Sequence, residues 1–294
     1  MSVRHFFVAV LVCCCIFSFQ SVVHAQQNGG GVERTSEDYI TFRSRFQSRL
    51  TVKGPSPQVG KPLERIKGTF QIEYESDGTQ LQAILGIPPK GGKLPVVVFL
   101  HGGFAFGDSD WDMAKPFLDA GYVVLMPILR GENQQPGTFS LYYDEVNDVL
   151  AATEKLKKHP RVLPDQIFVA GHSAGGTLAI LSSMASNHYR GAASLSGSMD
   201  VRSERKKPLL VFDTADIDEQ RARSPLLFAE HFQCPTMLYY GDQEKWAVKE
   251  TTLTFEKAKL AKVAVSVKVI KGDHYSSVPE ASADAIRFFE SLRK

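Results

Sequence analysis

A serine with glycines two residues before and two residues after it, Gly171-His-Ser173-Ala-Gly175, is suited to acyl transfer. In a Gly-x-Ser-x-Gly turn between a strand and a helix, the serine hydroxyl stands clear of the backbone and can attack a carbonyl carbon. The hydroxyl is a poor nucleophile at neutral pH. It needs an imidazole to take its proton and return it to the leaving group, and a carboxylate to hold that imidazole in one tautomer. Of eight histidines, His274 falls in Gly272-Asp-His-Tyr275, a loop after the last strand-like run. His172 adjoins the serine, but the turn is expected to aim it elsewhere, and His101 is expected to order its own turn. For the acid there are two candidates, Asp242 and Glu244 in Gly241-Asp-Gln-Glu244. One should face His274, and the other should cap the turn or meet solvent. The developing oxyanion needs preorganised N–H donors. Ala174 is one candidate, and one of Gly102, Gly103 and Phe104 is the other. The five-residue pattern also fits an ordinary Gly/Ser-rich turn, so its surroundings decide its meaning.

Those surroundings are strands and helices in alternation. Gln166–Ala170 leads into the serine as a short apolar strand, and Thr177–Ala185 leads out as a helix. Pro95–Leu100 is a continuous apolar run, the signature of a strand covered on both faces, and it ends in His101-Gly-Gly-Phe104. Further strands are expected near 69–74, 80–87, 122–126, 191–195, 237–240 and 263–270. Helices are expected near 36–50, 108–120, 142–158, 249–261 and 279–292. Thr35 and Asp38 could form a capping box for the first helix. Thr51–Pro62, with three prolines and two glycines, is read as a linker, and the stretch from 196 to about 223 as polar. This order predicts an α/β fold with a mostly parallel central sheet and helices on both faces. Ligands on such sheets sit at the carboxyl ends of the strands. His101-Gly-Gly, Ser173, the 242–244 acids and His274 all fall at such ends, in the chain order serine, acid, histidine. Arg130 is expected to be a structural loop cation. Asp144, Glu145 and Asp148 invite a metal reading, but without a helper histidine or an acid-rich loop they are expected to be a solvated or buried-paired helix face.

The chain has 294 residues and a net charge of +2, with no global pull toward nucleic acid or anionic membrane. Residues 1–25 read as a cleavable signal peptide: Arg4, the apolar run Phe6–Phe19, then Val23-His-Ala25 before the cut. The run is shorter than the roughly 20 residues that span a bilayer. Removing Arg4, the only charge in that segment, leaves +1. Cys13, Cys14 and Cys15 leave with it, so Cys234 remains alone, with no intrachain disulfide or cysteine-held metal possible. It is expected to be a buried thiol. A secreted or periplasmic protein is expected, divided into the signal (1–25), an N-terminal helix and linker (26–65) and one catalytic domain (66–294). No cofactor is implied.

Taken together, Pro95-Val-Val-Val-Phe-Leu-His-Gly-Gly-Phe104, Arg130-Gly131, Asp148-Val-Leu-Ala-Ala152, Gly171-His-Ser-Ala-Gly-Gly176, Arg223-Ser-Pro225, Tyr240-Gly-Asp-Gln-Glu244 and Gly272-Asp-His-Tyr-Ser-Ser277 resemble the catalytic domain of the prolyl oligopeptidase family, within the α/β-hydrolase fold. The resemblance runs from about residue 66 to 294. It implies Ser173 as nucleophile, His274 as base, and Gly103 or Phe104 with Ala174 as oxyanion hole. The family's acid usually stands three residues after the glycine ending its strand. That position is Glu244 here, where the family has Asp, and Asp242 stays a rival. Family peptidases carry an N-terminal β-propeller, for which residues 26–65 are too few. The expectation is therefore an open site that hydrolyses small acyl esters or short peptides. Two other classes are weighed: a non-catalytic binding protein on a hydrolase fold, and dienelactone or dehalogenase chemistry, which places Cys or Asp rather than Ser at the elbow.

Overall fold

The computed structural model describes residues 37–89, 91–107, 109–204 and 206–293. The expected signal, the stretch 26–34 and Thr35 lie outside the described residues. Within them, the strands β1 (Phe70–Ser76), β2 (Thr79–Gly86), β3 (Leu94–Leu100), β4 (Val123–Pro127), β5 (Val162–His172), β6 (Gly191–Leu195), β7 (Thr236–Gly241) and β8 (Val265–Ile270) form one sheet. Their spatial order is β1-β2-β4-β3-β5-β6-β7-β8. The β1–β2 hairpin turns through Asp77 and Gly78, both left-handed, as a two-residue hairpin turn requires. β2 runs antiparallel to β4, and every later pairing is parallel. This is the predicted α/β-hydrolase architecture.

The apolar run of β3 shows why the sheet is covered on both faces. Val96, Val98 and Leu100 enter one core, while Val97 and Phe99 enter the other. Helices α3 (Asp144–Lys157), α4 (Ala174–Met184) and α6 (Lys245–Leu260) pack on the first face, and α2 (Asp110–Asp119) and α7 (Val278–Leu292) on the second. On the second face Phe168 of β5 stacks on Phe289 of α7 at 4.6 Å, and Phe99 meets Phe117 of α2 at 5.7 Å. Burial of each such side chain contributes about 1.5–3 kcal/mol.

Arg130, just after β4, ties three elements together. Its guanidinium donates to Asp148 Oδ1 of α3 at 2.6 Å and to Asp77 of the hairpin turn at 2.9 Å. Asp148 is fully buried, so the pair satisfies a carboxylate that could not otherwise stay ionised there. Arg130 is thus a structural cation. No metal-binding cluster occurs among the described residues. Cys234 is a buried free thiol, and burial pushes its pKa up to about 12.

Three stretches differ from expectation. The first helix, α1 (Tyr39–Arg45), spans seven residues rather than 36–50. Asp38 caps it, accepting the Thr41 N–H at 2.6 Å. Beyond Phe46 the backbone finds better partners elsewhere: Ser48 and the Arg49 N–H both donate to Glu219, and Leu50 bridges to Phe212. Glu219 belongs to a short helix, α5 (Ile217–Arg221), inside the stretch expected to be merely polar. That stretch also carries Leu209, Val211 and Phe212, which pack with Phe139 and Leu141 into a separate small core. Finally, residues 51–62 are not a free linker. Thr51 N–H donates to Val211 O, Phe139 N–H to Gly54 O, Ser56 N–H to Gly131 O and Asn133 Nδ2 to Lys61 O. This arm is fastened to the domain along its length.

Candidate active site

The Ser173 backbone is strained, and the glycines around it explain how the strain is held. Ser173 has φ 55° and ψ −121°, outside the regions an L-residue prefers. A β-carbon on Gly171 would stand 2.2 Å from Gly175 O, and one on Gly175 would stand 2.1 Å from Leu100 O. Only glycine lets β3, β5 and α4 approach this closely. The Ser173 N–H donates to Leu195 O of β6 at 2.8 Å, and its carbonyl accepts the Gly176 N–H at 2.9 Å. The hydroxyl therefore sits at the carboxyl edge of the sheet, at the N-terminus of α4, whose residues are all buried.

His274 lies in the loop between β8 and α7. Its Nε2 is 2.8 Å from Ser173 Oγ, and its Nδ1 is 2.6 Å from Glu244 Oε1. The other Glu244 oxygen accepts from Ser196 Oγ at 2.5 Å and from the Gly241 N–H at 2.6 Å. Burial would raise the Glu244 pKa. The bonds from His274, Ser196 and Gly241 outweigh that and hold it below the ordinary range. Asp242 is exposed and does not reach the histidine; it accepts the Gly272 N–H at 2.9 Å and so braces the loop. The structure thus brings Glu244, His274 and Ser173 into one hydrogen-bonded line and leaves Asp242 outside it.

His172, beside the serine, holds this line in place, while His101 orders its own turn. His172 Nε2–H donates to the His274 carbonyl at 2.8 Å, and the two rings lie 4.7 Å apart. Burial, with the His274 charge beside it, lowers the His172 pKa to about 4, so it stays neutral. His101 Nε2 pairs with buried Glu132 at 3.0 Å, beneath the glycine turn. The sequence placed His172 beside the serine but not against the loop 102 residues later.

The oxyanion candidates converge on the same edge. Gly102 lies against Ser173, and a β-carbon on it would be 3.5 Å from Ser173 Cβ. Phe104 packs on Phe139 and Tyr142, at 5.2 and 5.8 Å between ring centres. A cavity of about 20 Å³ behind the turn is lined by Phe104, Phe139, Tyr142 and Leu178 together with the buried Glu132 and Glu145. On the solvent side, exposed Trp246 and Tyr275 flank the His274 ring at 6.0 and 5.2 Å.

Residues 109–291 match the Prolyl oligopeptidase family. Among curated relatives, the uncharacterized peptidase YtmA of Bacillus subtilis (strain 168) is 23% identical over 65% of this chain and 79% of its own length. A probable 2-oxo-3-(5-oxofuran-2-ylidene)propanoate lactonase of Bradyrhizobium sp is 23% identical over 63% of this chain and 74% of its own length. Among solved structures, a Mycobacterium tuberculosis puromycin-hydrolyzing peptidase superposes with a TM-score of 0.66 at 19% identity, over 76% of this chain. This chain spans 39% of that structure's length.

Proposed function

This chain belongs to the prolyl oligopeptidase family of serine hydrolases, and on that premise we propose that it cleaves esters or short peptides through an acyl-enzyme on Ser173. The observation that carries the reading is the unbroken line from Glu244 through His274 to Ser173, at 2.6 and 2.8 Å. In it, His274 Nε2 takes the hydroxyl proton as Ser173 Oγ bonds to the substrate carbonyl carbon. Glu244 remains a carboxylate and steadies the imidazolium. The Ala174 N–H and one N–H of the 102–104 turn receive the oxyanion. The tetrahedral adduct then collapses, the leaving group departs with the His274 proton, and Ser173 carries the acyl group. Water, deprotonated by His274, repeats the sequence and releases the acid.

Substrate scope follows from the surfaces around Ser173. The exposed mouth beside Trp246 and Tyr275 suits small leaving groups, and the cavity behind Phe104, at about 20 Å³, is too small to take an acyl chain. A fluorophosphonate probe should label the folded protein and not Ser173→Ala; folded wild-type protein that takes no label ends the hydrolase reading. A panel of p-nitrophenyl esters against aminoacyl-naphthylamides then separates esterase from peptidase. We propose in addition that the protein is exported, secreted or periplasmic, with residues 1–25 as a cleaved signal. Arg4, the apolar run Phe6–Phe19 and the small residue Ala25 support that reading.

A further inference from the structure

Phe104 has both of its backbone polar groups taken by the arm. The Ser56 hydroxyl donates to the Phe104 carbonyl, and the Phe104 N–H donates to Gln58 Oε1 at 2.9 Å. The Gln58 carboxamide also lies over Gly103, where a β-carbon would stand 2.7 Å from Oε1. Ser56 is buried, while Gln58 is exposed. The arm is anchored on either side of them, by Thr51 N–H to Val211 O at 2.7 Å and by Asn133 Nδ2 to Lys61 O at 2.8 Å.

These bonds sort the candidate oxyanion donors. An N–H given to Gln58 is not available to a substrate oxygen. The Gly102 N–H faces the Asp110 carboxylate. The N–H groups of Gly103 and Ala174 have no acceptor among the described residues. A turn built on two consecutive glycines is also loose by nature. Oxyanion donors act through preorganisation, so the turn must be held by something outside itself.

We infer that Ser56 and Gln58 are positioning residues for the reaction: they clamp the Phe104 peptide from both sides and leave the Gly103 N–H, paired with that of Ala174, aimed at the oxyanion. The inference rests on the hydrolase reading above. It assigns the arm before the catalytic domain a share in the chemistry without contact with the reacting atoms.

The test uses full-length protein, p-nitrophenyl acetate turnover and the rate of fluorophosphonate labelling of Ser173. Gln58 is exposed, so Gln58→Ala and Gln58→Met should both fold, with unchanged thermal midpoints. Methionine fills the space over Gly103 but cannot accept the Phe104 N–H. Both variants should lose about 10- to 100-fold in kcat and in labelling rate, with KM held. The pH inflection of kcat/KM should not move, because His274 and Glu244 are untouched. Wild-type kcat in both variants overturns the clamp. So does recovery by Gln58→Met, which would reduce Gln58 to packing, and so does a loss confined to KM. A rise in kcat overturns it in another direction, making Gln58 an obstruction that substrate must displace. These outcomes all presuppose a wild-type protein that takes the label. If it takes none, the hydrolase reading falls and the clamp falls with it.

Discussion

Glu244 and Asp242 stand two residues apart on the turn after β7, yet only one carboxylate reaches His274. The Gly241 N–H and the Ser196 hydroxyl draw Glu244 inward, while Asp242 points out and braces Gly272. Glu244→Gln keeps the volume but removes the carboxylate that fixes the imidazole's tautomer. It is expected to lower kcat by about three to four orders of magnitude with the fold intact. Asp242→Asn keeps an acceptor for Gly272 and should cost far less. Steady-state kinetics on the two variants decide between the acids. His101 offers a test by pH. Burial alone would lower its pKa, but Glu132 at 3.0 Å raises it to about 9. The folded value lies above the unfolded value of about 6.5, so the pair's share of stability is complete below about pH 6.5 and is lost as pH rises through about 9. The difference in urea midpoint between wild type and His101→Gln should therefore shrink between pH 7 and pH 10.

At the scale of elements, the turn from β5 into α4 does most to build the site. Strand, turn and helix could be read locally, because an apolar run, two spaced glycines and a helical run each have a short-range signature. What local pattern could not supply was the clearance. Gly175 is required because Leu100 O of β3, 75 residues earlier in the chain, would stand 2.1 Å from a β-carbon there. The obstruction is backbone and cannot rotate away. Gly175→Ala should cost at least the upper part of the roughly 1–3 kcal/mol typical of overpacking. The thermal midpoint and the labelling rate of Ser173 should fall together. The first helix teaches the opposite lesson. Tyr39, Phe42, Phe46 and Leu50 recur at helical spacing, but the helix ends at Arg45. The pattern continues because Phe46 and Leu50 are still half-buried partners, now of Tyr143 and the small core around Phe212, on an extended chain.

At the scale of the whole molecule, the proposed export predicts a processed chain. The protein recovered from outside the cytoplasm should begin at Gln26, which intact-mass measurement or N-terminal sequencing would read directly; a chain retaining residues 1–25 would argue for an anchor instead. Among the described residues, no helix is long and apolar enough to cross a membrane. The sequence by itself determined the sheet with its two covered faces, the serine in its turn, and the histidine in its loop. These depend on side-chain type at short spacing, and hydrophobic burial enforces them wherever the chain goes. Only the tertiary structure decided which acid meets His274, what His172 holds, and where residues 51–62 lie. Those depend on hydrogen bonds between groups 30, 102 and 46 residues apart. An extended Pro/Gly-rich arm whose backbone bonds to other backbone has no periodicity to read, so its place against Phe104 could come only from the folded chain.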